Sequence, residues 1–295
     1  MEPHHRRRRA VAILVLIGLA LLGALLLAGG GPAARPAATV PVDHGFFARI
    51  RALAGSGPGS LAARETAAEN AAINRTLAYT PYVRVAGGQH REIALTFDDG
   101  PGPYTPEVLS ILERHDVPAT FFEVGVLERY FYASTAEIVA DGDVIGDHTE
   151  KHLPMSRLPP RAQRGQLLAD ARALARHGAR FPRLFRPPYG LWNAATLALL
   201  RHYRMLMVLW TVDTSDYRRP GVRAIVRAAV DGARPGAIIL LHDAGGNRSQ
   251  TVAALPQIIA ALERRHYRVV TVPRLLLDNP PPRVQNVGAV IGSGG

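Results

Sequence analysis

Asp98 and Asp99 stand side by side in ALTFDDGPGPYTP (residues 94–106), at the end of an apolar run and ahead of a turn rich in Gly and Pro. Adjacent carboxylates repel each other, and a divalent cation relieves the repulsion. One carboxylate coordinates the ion while the other stays within reach of water to take its proton. A second stretch, HTEKH (148–152), spaces two histidines four apart, which a helix face or a loop brings to one ion. Two imidazoles and a carboxylate form a common catalytic zinc set that leaves positions open for water and substrate. Taken alone, an Asp-Asp-Gly is ordinarily a solvated turn, and a spaced His pair ordinarily caps or solvates. Chemistry requires that they meet.

Three further stretches carry suitable groups. In LFRPPYG (184–190), Arg186 is placed to hold a carboxylate through two parallel hydrogen bonds, Pro187 and Pro188 stiffen the backbone, and Tyr189-Gly190 turns it. WTVDTSDY (210–217) offers Asp213 and Asp216. LLHDAGG (240–246) places His242 after an apolar run, where a neighbouring carboxylate would make it a general acid. The chain has no Cys, so disulfides and thiolate metal sites are excluded and any metal must use His, Asp or Glu.

The elements that must position these groups are short β-type runs at 93–97, 119–125, 143–148, 184–188, 205–213, 237–243 and 268–272, separated by helical stretches. Thr105 is expected to cap a helix with Pro106 at its first position, 160–177 and 252–265 read as helices, and Asn193 caps another. Seven strands alternating with helices predict a parallel α/β sheet, open or closed into a barrel. In such folds the loops after the strands share one face, which carries the site. Asp98 and Asp99, His148, Arg186, Asp213 and His242 all fall at strand ends, so they are expected to converge. The other histidines suit solvated or capping roles, and ERYFY (128–132) is expected to pack beneath a loop, with a sugar platform as the alternative.

The ends of the chain read differently. HHRRRR precedes an uncharged run, residues 10–28, that as a helix would be roughly 28 Å long, close to a hydrocarbon core of ~30 Å. The expectation is a basic stub and transmembrane signal-anchor over 1–30, with Arg6 to Arg9 cytoplasmic and the remainder outside the membrane; the alternative is a secreted chain after signal-peptide cleavage. Residues 31–86 are expected to form a linker or stalk, with a helix from Ser60 to Leu77, capped by Ser60, that is either a stalk or a partial packing element; 87–278 are expected to form the catalytic domain and 279–295 a disordered tail. The net charge of +11 is concentrated in the first 90 residues, where ten arginines face four acids, and the rest is mildly basic. Nucleic acid is therefore not an expected partner.

Taken together, TFDDG (96–100), HTEKH (148–152), RPPYG (186–190), DTSDY (213–217) and LLHD (240–243) resemble, in order, the five motifs of the polysaccharide deacetylase family, the NodB homology domain of carbohydrate esterase family 4. The resemblance covers about 91–273. It implies a distorted (β/α)7 barrel with parallel strands and the site at their C-terminal ends. It assigns a divalent ion, zinc first with cobalt, nickel or manganese as alternatives, to Asp99, His148 and His152. Asp98 would be the base and His242 the acid; Arg186 would orient Asp98, and Asp216 would pair with His242 or Arg186. The Tyr189 N–H would help hold the oxyanion, and Tyr189, Tyr217 and Pro187 would line the sugar. Tyr217 departs from the Trp usual at that motif position. The reaction would be removal of acetyl groups from N-acetylated sugars of an extracellular glycan, with peptidoglycan N-acetylglucosamine expected. The competing readings are an O-acetyl-xylan esterase or small-molecule amidase on the same scaffold, and an inactive glycan-binding module.

Overall fold

A computed structural model of the chain describes residues 60–285. The expected stub, membrane anchor and first part of the linker, and the last ten residues, lie outside the described residues. Among the described residues, no helix is long and apolar enough to cross a membrane.

Among the described residues nine strands form one sheet: β1 Tyr82–Val83, β2 Glu92–Gly100, β3 Thr120–Glu123, β4 Val144–Asp147, β5 Leu184–Phe185, β6 Leu206–Val208, β7 Val212–Asp213, β8 Ala237–His242 and β9 Arg268–Val269. The order is β1-β6-β5-β4-β3-β2-β8-β7, with β9 also paired to β2, and every ladder is parallel. The helices are α1 Leu61–Leu77, α2 Thr105–His115, α3 Glu128–Asp141, α4 Pro160–Ala175, α5 Ala194–Tyr203, α6 Val222–Asp231, α7 Ser249–Arg264 and α8 Val272–Asp278. The parallel α/β architecture thus agrees with expectation, and the distorted (β/α)7 barrel is here a curled half-barrel with nine strands in place of seven. The apolar run 205–213 is two strands, not one. Its first half pairs with β5 and β1, and its second half pairs with β8 at the other end of the sheet. Residues 209–211 join these two ends covalently, so the sheet curls into a half-barrel whose seam is spanned by chain. Leu209 N–H donates to Val83 O and Thr211 N–H to Ile238 O, which takes the seam's backbone groups away from a β6–β7 ladder.

Strand alternation decides which side chains face the site. On β2, Ile93, Leu95 and Phe97 join the outer core with Val108, Leu112, Leu255 and Ile259 of α2 and α7. Ala94, Thr96 and Asp98 carry the opposite parity. On β8, Ile239 and Leu241 likewise belong to that outer core, leaving Ile238, Leu240 and His242 on the inner face. A third cluster, with Met155, Leu167, Phe185, Leu200 and Met207, packs α4 and α5 on the outside of β5 and β6.

Two expected boundaries are corrected. Residues 61–86 are not a stalk: Ala72 and Ile73 of α1 and Val83 of β1 pack with Phe122, Leu184, Val208, Ile238 and Leu275 of α8. The α1 start is as read, with Ser60 Oγ accepting the Ala63 N–H. Residues 279–285 are docked, because Asn279 and Gln285 satisfy backbone groups of 84–90: Asn279 Oδ1 accepts from His90, and Gln285 Oε1 accepts from Arg84 and Val85. Two local readings also change. Thr105 does not cap α2; its hydroxyl bonds Asp243 and accepts the Gly102 N–H. ERYFY opens α3 with Tyr130 and Tyr132 exposed, and Phe131 breaks the helical dihedrals between them.

Candidate active and metal site

The base and acid candidates face each other across one ladder. Asp98 of β2 is the register partner of His242 of β8, and their parity puts both on the inner face. The next residue, Asp99, leaves the ladder with φ +72 and turns its carboxylate toward the loop after β4. That loop carries His148 and His152, with Thr149 and His152 also at positive φ (+74 and +52). Left-handed backbone at non-Gly residues is costly and persists where its surroundings dictate it. Here the surroundings are specific: Asp170 Oδ2 of α4 accepts the His148 N–H, Asp147 Oδ1 accepts the Thr149 N–H, and Gln166 Oε1 accepts the Lys151 N–H.

Asp99, His148 and His152 each bring one donor atom to within 4.8 Å of the others. His152 Nε2 lies 3.1 Å and His148 Nε2 3.7 Å from Asp99 Oδ1. This oxygen is buried and takes no aligned hydrogen bond. His148 Nδ1 sits 2.7 Å from Arg186 O, an acceptor, so Nδ1 carries the proton and Nε2 keeps its lone pair. Burial holds His148 neutral, lowering its pKa to about 4. Burial raises Asp99, but the neighbouring histidines, His152 first, more than offset it and hold it well below the usual carboxylate range. A neutral buried imidazole, a second imidazole and an ionised carboxylate with an orphaned oxygen are a donor set that fits a divalent cation.

Arg186, fully buried, is the hub beside it. Nη1 donates to Asp98 Oδ1 at 2.6 Å and to Thr96 Oγ1 at 2.9 Å, while Nε donates to Val208 O. Its guanidinium carbon lies 4.1 Å from the Phe122 ring centroid. Asp98 Oδ1 is thereby occupied, and Oδ2 lies 3.7 Å from His148 Nε2, on the side of the metal ligands. On the other strand, Asp216 Oδ1 lies 2.7 Å from His242 Nδ1, and Asp216 Oδ2 accepts both the His242 N–H and the Thr251 hydroxyl at 2.8 Å. Burial disfavours the His242 imidazolium, but the Asp216 carboxylate more than compensates and lifts the pKa to about 9. Of the two acids offered by the fourth motif, Asp216 is therefore the partner, and it pairs with His242, not Arg186. Asp213 is exposed and accepts the Ser215 N–H in a local turn.

The expected substrate contacts divide. Tyr189 is exposed, at φ +59, and its ring meets His152 edge-on at 4.6 Å. Tyr217 packs edge-on to His242 at 5.3 Å. Pro187 is buried and shapes the turn. Sequence reading missed Thr96, Asp170, Thr251 and Arg248, whose Nη2 lies 3.8 Å from Asp99 Oδ2. Each lies outside the five motifs or on a strand interior, and contacts the site through tertiary packing that local spacing does not encode.

A family model described as polysaccharide deacetylase matches residues 86–208. A chitooligosaccharide deacetylase of Bradyrhizobium sp. (strain ANU 289) is 38% identical over 198 residues, covering 63% of this chain and 90% of that protein. A peptidoglycan-N-acetylglucosamine deacetylase of Bacillus cereus is 40% identical over 187 residues, covering 62% and 87%. Among solved structures, a peptidoglycan N-acetylglucosamine deacetylase in complex with 4-naphthalen-1-yl-N-oxidanyl-benzamide superposes with a TM-score of 0.65 at 31% identity, covering 70% of this chain and 95% of that one.

Proposed function

The chain belongs to the polysaccharide deacetylase family, and from that premise and its site we propose a metal-dependent hydrolase that removes acetyl groups from N-acetylated sugars, with wall peptidoglycan as the glycan. The observation that carries this reading is the meeting of three cation donors within 4.8 Å, beside an Arg-held carboxylate on one strand and an Asp-held imidazole on its neighbour.

Asp99, His148 and His152 would hold the ion, and zinc suits two imidazoles and a carboxylate. Such a cation supplies Lewis acidity, which polarises an acyl oxygen and makes water a nucleophile at neutral pH. The chain's own groups do the rest. Arg186 holds Asp98 Oδ1, so Oδ2 is the oxygen that takes the proton of the attacking water. The Tyr189 backbone N–H helps hold the oxyanion as water adds to the acetyl carbon. His242, protonated through Asp216, gives its Nε2 proton to the sugar nitrogen as the carbon–nitrogen bond breaks, releasing acetate and the free amine. Base and acid sit on paired strands, so they flank one scissile bond. Tyr189 and Tyr217 present aromatic faces at the mouth of the site, where sugar rings pack well.

The N-terminal apolar run supports a further part of the reading, that the domain is tethered at the cell membrane and acts on glycan outside it. Acetate release tests the substrate: peptidoglycan and chitin oligomers should be deacetylated, and acetylxylan should be much the poorer substrate. A preference for the O-acetyl glycan would reverse the assignment of linkage, and inactivity on all of them would favour a binding module.

A further inference from the structure

Arg248 directly precedes α7 and is 5% exposed. Its guanidinium is fixed by the loop it belongs to, with Nε donating to Ala244 O and Nη2 to Gly245 O at 3.0 Å. Among the described residues its ion-pair partner is Asp99, at 3.8 Å from Oδ2. The same loop presses on that oxygen from its backbone side. Gly245 has φ +72, and a Cβ there would lie 2.3 Å from Asp99 Oδ2. Asp99 is therefore shared: Oδ1 faces the two histidines, and Oδ2 faces Arg248 and Gly245.

We propose that Arg248 is a positioning residue that reserves Oδ2 of Asp99, so that the carboxylate offers the cation a single oxygen and leaves room at the ion for substrate. A buried guanidinium requires a counter-charge, and here the carboxylate is also a candidate metal ligand, so one anion is divided between two cations. Without Arg248, both oxygens become available to the ion, and a repelling positive charge is lost from its neighbourhood. The cation should then be held at least as tightly, in a fuller coordination shell, and turnover should suffer. The inference rests on the reading of Asp99, His148 and His152 as ligands.

The test uses the full chain stripped with chelator and titrated with Co2+. Arg248→Met should bind Co2+ no more weakly than wild type by calorimetry, with weakened visible absorption bands as oxygen donors are added. Its kcat should fall about 10- to 100-fold with KM little changed. Arg248→Lys, which keeps the charge, should return the spectrum and kcat toward wild type. A wild-type spectrum in Arg248→Met overturns the assignment whatever the activity, as does weaker Co2+ binding in both variants. Failure of the wild-type chain itself to bind Co2+ would instead remove the ligand reading beneath it.

Discussion

In the proposed mechanism the pair Asp216–His242 supplies the acid. An unperturbed imidazole titrates near pH ~6.5 and is mostly deprotonated at neutral pH; held by Asp216 it is lifted to about 9. A group whose pKa is raised keeps its proton below that value and loses it above, so the acid is present at pH 7 and lost on the alkaline side. The rate should therefore fall along an alkaline limb near pH 9. In Asp216→Asn that limb should move down toward ~6.5, measured as kcat against pH. An unmoved limb would mean that the titrating group is another. Asp98, Arg186 and His242 were legible in the sequence because each closes an apolar run, and strand alternation does the rest; His152 and Asp216 lie in polar loops and came from the family resemblance. The partner of His242 was legible only in part: the resemblance pointed to Asp216 but left His242 and Arg186 open, the residues alone offered Asp213 as well, and what separates these is tertiary. Asp216 is buried against the β8 end and receives Thr251 from α7, while Asp213 bonds its own turn.

Elements carry the next level. The seam at 209–211 could not be read from composition, since MLMVLWTVD is apolar and β-prone throughout. It breaks because its two halves find different partners at opposite ends of the sheet. The seam is locked from outside by the 84–87 segment: Arg84 Nε donates to Trp210 O, the Thr211 hydroxyl to Arg84 O, and Ala86 N–H to Gly236 O in the turn into β8. Gly236 has φ +78, and a Cβ there would lie 2.3 Å from Ala86 O and 2.4 Å from Gly87 O, both backbone. Gly236→Ala combines left-handed strain with a backbone clash and should cost at least about 2 kcal/mol in urea unfolding. A loss below about 0.5 kcal/mol would show that this segment does not brace the sheet.

At the scale of the whole molecule, residues before 87 and after 278 pack with the sheet that carries the site. Proline and glycine made 30–59 look like a tether, and the helix after it read as either a stalk or a packing element; α1 is the latter, supplying Ala72 and Ile73 to a core shared with α8. The mostly Ala face of α1 gave little periodic signal, and its burial depends on α8, some 200 residues away in sequence. Likewise Asn279 and Gln285 look like tail residues until their amides are found on the backbone of 84–90. The half-barrel so completed brings the candidate cation ligands of β2 and of the β4–α4 loop together. Metal content of the full chain tests that claim most directly. Zn2+ titrated into chelator-stripped enzyme should bind one ion per chain in wild type and in Asp98→Asn, the latter without turnover, and none with comparable affinity in His148→Ala. Wild-type Zn2+ affinity in His148→Ala would contradict the account.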